Sequence, residues 1–128
     1  MPESDAATGT NGGRGRRRYD RSQRAVTQTS PRIGRLDPAT GKVTKWQSPS
    51  GAKSGPYGIS AIKDVIWYSE SEAEPNTIVR FDPTGEKFQS WAIPGGGHIV
   101  RNTDVTKDGD FALANSLVNT VSLVKIPR

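Results

Sequence analysis

The sequence predicts an all-β chain built from a repeated antiparallel unit, and three observations predict it. The first is the repeat itself. Residues 33–49 and 78–94 agree at seven of seventeen positions without a gap, in the pairs Ile33/Ile78, Arg35/Arg80, Asp37/Asp82, Pro38/Pro83, Lys42/Lys87, Trp46/Trp91 and Pro49/Pro94. A period in the forties is the length of a four-stranded β-unit, and such units stack on one another because one alone cannot cover its apolar faces. The second is composition: 14 Gly and 9 Pro among 128 residues favour short strands and turns over helices. The third is the series of short apolar runs, broken by turn signals, that begins at Pro31.

Taken in order, 33–37 reads as the first strand. In the turn Asp37-Pro-Ala-Thr-Gly41, Pro38 presets φ, Gly41 supplies positive φ and Asp37 bonds the turn backbone. Residues 43–47 pair back. Ser54-Gly-Pro-Tyr-Gly58 crosses to a strand at 59–62, Lys63-Asp64 turns the chain, and Val65-Ile-Trp-Tyr-Ser-Glu70 is the most β-prone stretch. Strands follow at 77–82 and 88–93, joined by a second Asp-Pro turn. Gly95-Gly-Gly97 crosses to 100–106, Lys107-Asp-Gly-Asp110 makes a hairpin turn, and 111–115 and 120–126 finish the chain. With the strands of a unit labelled A to D from the inside, these nine read C-D-A-B-C-D-A-B-C, and only the central unit, about 59–93, is complete. Apolar residues on both parities, as in Val65-Ile66-Trp67, suit sheets covered on both faces. Radially stacked blades give that cover, so the expected fold is a partial β-propeller of about two four-stranded antiparallel blades over 31–128.

Residues 1–30 read as a disordered basic tail, because they hold too few apolar side chains to offset their ordering entropy. The net charge of +5 is concentrated there: residues 1–32 carry +4 and the remainder +1. The run from Arg14 to Arg24 could grip phosphates, but only Tyr19 offers a stacking ring, which argues against nucleic acid as a partner. The chain has no cysteine, so disulfides and thiolate zinc sites are excluded. No apolar run approaches the ~20 residues that span a bilayer, and no secretory signal is visible, which leaves the compartment open and leans toward the cytoplasm.

The motifs "IGRLDPATGKVTKW", "SGPYGI", "IWYSE", "NTIVRFDPTGEKFQSWAIP" and "GDFALANSLVNTVSLVKI" resemble the virginiamycin B lyase (streptogramin B lyase) family of seven-bladed propellers over about 31–128. The resemblance implies a lyase that opens cyclic depsipeptide antibiotics at the ester, using Mg²⁺ to polarise the carbonyl and a histidine as general base on the adjacent Cα–H. It also implies that most of the ring is absent, so self-association or missing blades are expected.

On this reading His98, the only histidine, falls near the place of the base; imidazole suits that task because its pKa lies near neutrality. Tyr57 takes the equivalent place one blade earlier, as a contact for a cyclic-peptide substrate. Glu70 matches a family strand-end carboxylate, as a catalytic and metal-binding group, whereas the next blade carries the neutral Asn115 there. A lone histidine at a glycine-rich crossing equally suits an exposed loop, and Glu70 equally suits a strand end in solvent. Trp46, Trp67 and Trp91 are expected to pack blade on blade. The competing function is a non-catalytic propeller module for binding or self-assembly. A lactone hydrolase of related architecture would need a carboxylate and Asn metal set that the sequence does not display.

Overall fold

The computed structural model of the chain describes residues 23–26 and 30–127. Ten strands run in chain order: β1 (Gln23–Val26), β2 (Arg32–Leu36), β3 (Val43–Gln47), β4 (Pro56–Ile62), β5 (Val65–Glu70), β6 (Thr77–Asp82), β7 (Lys87–Ala92), β8 (Val100–Val105), β9 (Phe111–Asn115) and β10 (Thr120–Val124). They form three antiparallel sheets, ordered β1-β2-β3, β4-β5-β6-β7 and β8-β9-β10. Here these are sheets 1, 2 and 3. The fold is all-β, a partial propeller, and the one complete blade is sheet 2. No helix among the described residues is long and apolar enough to cross a membrane.

The repeat is kept residue for residue. Ile33 pairs with Trp46 in sheet 1, and Ile78 pairs with Trp91 in sheet 2. Leu36 pairs with Val43 where Phe81 pairs with Phe88. Both Asp-Pro turns close as the sequence requires: Asp37 Oδ1 accepts from Ala39 N at 2.9 Å and Asp82 Oδ1 from Thr84 N at 3.0 Å.

One boundary differs from expectation. Most of residues 1–30 lie outside the described residues, but Gln23–Val26 within that segment form β1, paired with β2 in the register Val26↔Ile33. β1 is the B strand missing from the nine-strand reading, and it makes sheet 1 three-stranded. An edge strand can be held by ladder hydrogen bonds, which any non-proline residue supplies, so it need not carry an alternating apolar signal.

Sheet 2 is covered on both faces, and successive residues of β5 alternate between two cores. One core joins Ile33 of sheet 1 to Ile66, Tyr68, Val79 and Phe81 of sheet 2, with Trp46 and Phe88 packed on it. The other joins Trp67 and Ile78 of sheet 2 to Val100, Phe111 and Leu113 of sheet 3. Two of the three tryptophans pack sheet on sheet as expected: Trp46 lies 4.9 Å from Phe81 and Trp67 lies 5.9 Å from Phe111, both across sheet junctions. Trp91 does not: it is 46 % exposed and stacks on Trp67 within sheet 2. The inner strands β4 and β8 also meet. Ser60 Oγ and Thr103 Oγ1 are 2.6 Å apart, and Ser69 Oγ donates to Val100 O at 3.2 Å.

Candidate functional site

The end of the sheets where inner strands begin and β5 and β9 finish holds all three residues singled out from sequence. In sheet 2, Pro56 pairs with Glu70, so Tyr57 stands beside Glu70 at the bulged start of β4. In sheet 3, Val100 pairs with Asn115, and His98 lies two residues ahead of it on the crossing from β7. Among the described residues no hydrogen bond joins the side chains of His98, Tyr57 and Glu70; they share an end of the sheets.

Glu70 is not at a solvent-facing strand end. Its exposure is 0 %, and its carboxylate is filled by protein donors. Oε1 accepts from Ser48 Oγ at 2.5 Å and from Ser50 N at 3.0 Å; Oε2 accepts from Ser50 Oγ and Thr77 Oγ1, each at 2.5 Å. Ser48 also bonds Tyr68 Oη at 2.7 Å. Because the single hydroxyl proton of Ser48 goes to Glu70, Tyr68 donates to Ser48. Burial pushes the Tyr68 phenol well above its ordinary range, and the Glu70 charge adds to it. A buried carboxylate is tolerated when charge-assisted hydrogen bonds replace its water, and four do so here. Glu70 thus ties the sheet 1 crossing to β5 and β6.

Asn115 holds the same register position in sheet 3. Its Nδ2 donates to Thr120 Oγ1 at 3.1 Å and Ser122 Oγ at 2.7 Å, while its buried Oδ1 has no hydrogen-bond partner among the described residues. The residues 45 positions beyond Ser48 and Ser50 are Ile93 and Gly95, which bring no hydroxyl.

His98 is exposed and has a positive φ of 46°. That left-handed backbone, uncommon outside glycine, is held by Asn76. Asn76 Oδ1 accepts from His98 N at 2.9 Å and Gly97 N at 3.2 Å, and its Nδ2 donates to Ser71 O at 2.9 Å. Sequence reasoning did not single out Asn76, Ser48, Ser50 or Thr77. Their signal is positional: each sits at a crossing or strand end of the 45-residue frame. The register also separates two residues taken as equivalents. Pro56 matches Val100, so Tyr57 matches Arg101, while His98 matches Ser54. The bulges in β4 and β8 each insert one extra residue, so they leave this offset unchanged.

The described residues do not fit Mg²⁺. Its sites are built from carboxylate and other oxygen ligands with retained water. Both oxygens of Glu70 are already occupied by protein donors, and among the described residues no three His, Cys, Asp or Glu side chains gather around one point. An apolar cavity of about 10 Å³ between Ile33, Trp46, Ile59 and Phe81 has room for about one water and none for a peptide ring.

Three sheets stacked face to face, with inner strands adjacent, define a segment of a β-propeller. Among solved structures the chain is similar to the streptogramin B lyases. It matches a streptogramin B lyase structure with a TM-score of 0.70 and 21% identity, covering 83% of this chain and 34% of that one. A selenomethionine-substituted virginiamycin B lyase from Staphylococcus aureus matches with a TM-score of 0.68 and 21% identity, covering 100% and 44%. A catalytically inactive form of the Staphylococcus aureus enzyme with quinupristin matches at 0.65 and 19%, covering 82% and 38%. The chain shares their fold and spans less than half their length. No protein-family model matches it, and neither does any curated protein.

Proposed function

We propose that the chain is a streptogramin B lyase-like protein that contributes blades to a ring-opening site for a cyclic depsipeptide, with His98 as general base. The observation that carries this reading is the placement of the sole histidine: it is exposed, on the β7–β8 crossing, in a chain with the fold of these lyases. In the step proposed, the imidazole takes the proton from the carbon α to a carbonyl. The electron pair forms a carbon–carbon double bond, and the ester C–O bond at the next carbon breaks. A free carboxylate leaves, the ring opens and no water is consumed. Tyr57, half-buried beside the inner-strand bulge, is the proposed substrate contact. Glu70 is withdrawn from the chemistry, since its oxygens are spent on the sheet junction.

The test is ring opening of quinupristin, followed chromatographically, across a wide range of protein concentration with Mg²⁺ supplied. Three sheets furnish only part of a ring, so dilute monomer is expected to be silent and concentrated protein active. His98→Ala is expected to lower the concentrated rate by about 10²-fold or more, the scale of a lost general base. No opening at any concentration, or a full rate in H98A, would end the lyase reading.

A further inference from the structure

The two sheet junctions inside the chain share the Ile33/Ile78 position, with Trp46 at the first and Trp67 at the second, and sheet 3 repeats that position with no cover among the described residues. At the first junction, Ile33 and Trp46 of sheet 1 meet the face of sheet 2 that carries Val79, Phe81 and Phe88. At the second, Ile78 and Trp67 of sheet 2 meet Val100, Phe111 and Leu113 of sheet 3. Ile78 pairs with Ser69, one residue before Glu70; Val121 pairs with Ala114, one residue before Asn115. Val121 is therefore the third occurrence of the Ile33 and Ile78 position. Ile33 and Ile78 are each 4 % exposed, but Val121 is 78 % exposed, and Leu123 on the same face is 50 % exposed. Half-buried Ala112 and Ala114 complete that face.

The chain also carries the opposite half of such a junction. Where Phe81 and Phe88 pair on the receiving face of sheet 2, Leu36 and Val43 pair on the corresponding face of sheet 1, turned away from sheet 2. Both ends of the stack are thus halves of one kind of interface, and each half matches the other rather than itself.

We propose that a second copy of this chain docks head to tail, its Leu36–Val43 face on the Val121–Leu123 face of the first. Such a heterologous contact closes into a ring when its rotation allows. With three sheets per copy, two copies give a six-bladed ring, within the typical range of about four to eight. This inference rests on the two faces alone and stands whether or not the chain opens a depsipeptide.

Sedimentation analysis of the full chain tests it. The wild type is expected to show concentration-dependent dimers. Val121→Asp and Leu36→Asp are each expected to weaken self-association at least about tenfold, the equivalent of about 1.4 kcal/mol. Each variant keeps one intact half, so mixing the two is expected to restore pairing that neither shows alone. Val43→Lys repeats the second arm should L36D not fold, as judged by circular dichroism. A wild type that stays monomeric at millimolar concentration overturns the proposal, including the case where its own N-terminal residues cover the face. So does a dimer indifferent to V121D. A dimer lost in V121D but retained by both L36D and V43K overturns the head-to-tail arrangement, since sheet 3 would then be pairing with itself.

Discussion

Two residues at one register position show how a strand end can be finished in different ways. Glu70 receives four donors from Ser48, Ser50 and Thr77, while Asn115 donates to Thr120 and Ser122 and its Oδ1 finds no partner among the described residues. The difference lies in the preceding crossing, which supplies hydroxyls to Glu70 and Ile93 and Gly95 to Asn115. Removing the Glu70 carboxylate strands the buried Ser48 hydroxyl and breaks the tie to Thr77, whereas the exposed Ser50 groups can turn to water. Each buried donor left without an acceptor costs about 1–3 kcal/mol, so Glu70→Ala is expected to lose about 2–4 kcal/mol in urea unfolding. Glu70→Gln keeps the shape and one acceptor oxygen but turns an amide toward donors, so an intermediate loss is expected. A metal or catalytic role for Glu70 predicts the opposite outcome: near-wild-type stability in E70A with activity alone reduced.

At the scale of elements, the approach of β4 to β8 depends on a missing side chain. A Cβ on Gly58 would lie 2.6 Å from Val100 O and 2.8 Å from Thr103 Cγ2, and the first of these is backbone that cannot swing away. Gly58→Ala is therefore expected to destabilise by about 1–3 kcal/mol, the usual scale of overpacking. Gly34→Ala is the control: its nearest contact would be 3.7 Å, so thermal melts should leave it within about 0.5 kcal/mol of wild type. Equal losses at both glycines would assign the effect to strand glycines in general. The elements most legible in the sequence are those with their own chemistry. The Asp-Pro turns, the apolar run of β5 and the Ile–Trp pairs of the repeat each carry a local physical signature. β1 does not, because its ladder with β2 uses backbone groups common to nearly every residue. The candidate site was legible only as a location. His98, Tyr57 and Glu70 do lie at one end of the sheets, but the burial of Glu70 depends on serines 20 and 22 residues away. The register offset that separates Tyr57 from His98 leaves no mark in residue type.

For the whole molecule, stacking sets a gradient of stability. In a linear stack each sheet gains only from its immediate neighbours, so the central unit gains twice and each end gains once. Sheet 2 has apolar cores on both faces, whereas the outward faces of sheets 1 and 3 show half-buried Leu36 and Val43 and exposed Val121 and Leu123. Local opening should therefore start at the ends, since regions with few buried apolar contacts open at the least free energy. Amide hydrogen exchange on dilute protein is expected to be slowest in β5 and β6. β2, β3 and β10 should exchange at least about tenfold faster, about 1.4 kcal/mol less protected. Concentrating the protein should slow β10 and β2–β3 together if the two end faces meet in a dimer, and should leave β5 and β6 almost unchanged. Equal protection in all three sheets at low concentration would mean that the chain unfolds as one cooperative body. A stack of separately covered blades could not then describe it, and exposed Val121 would have no energetic consequence for its neighbours.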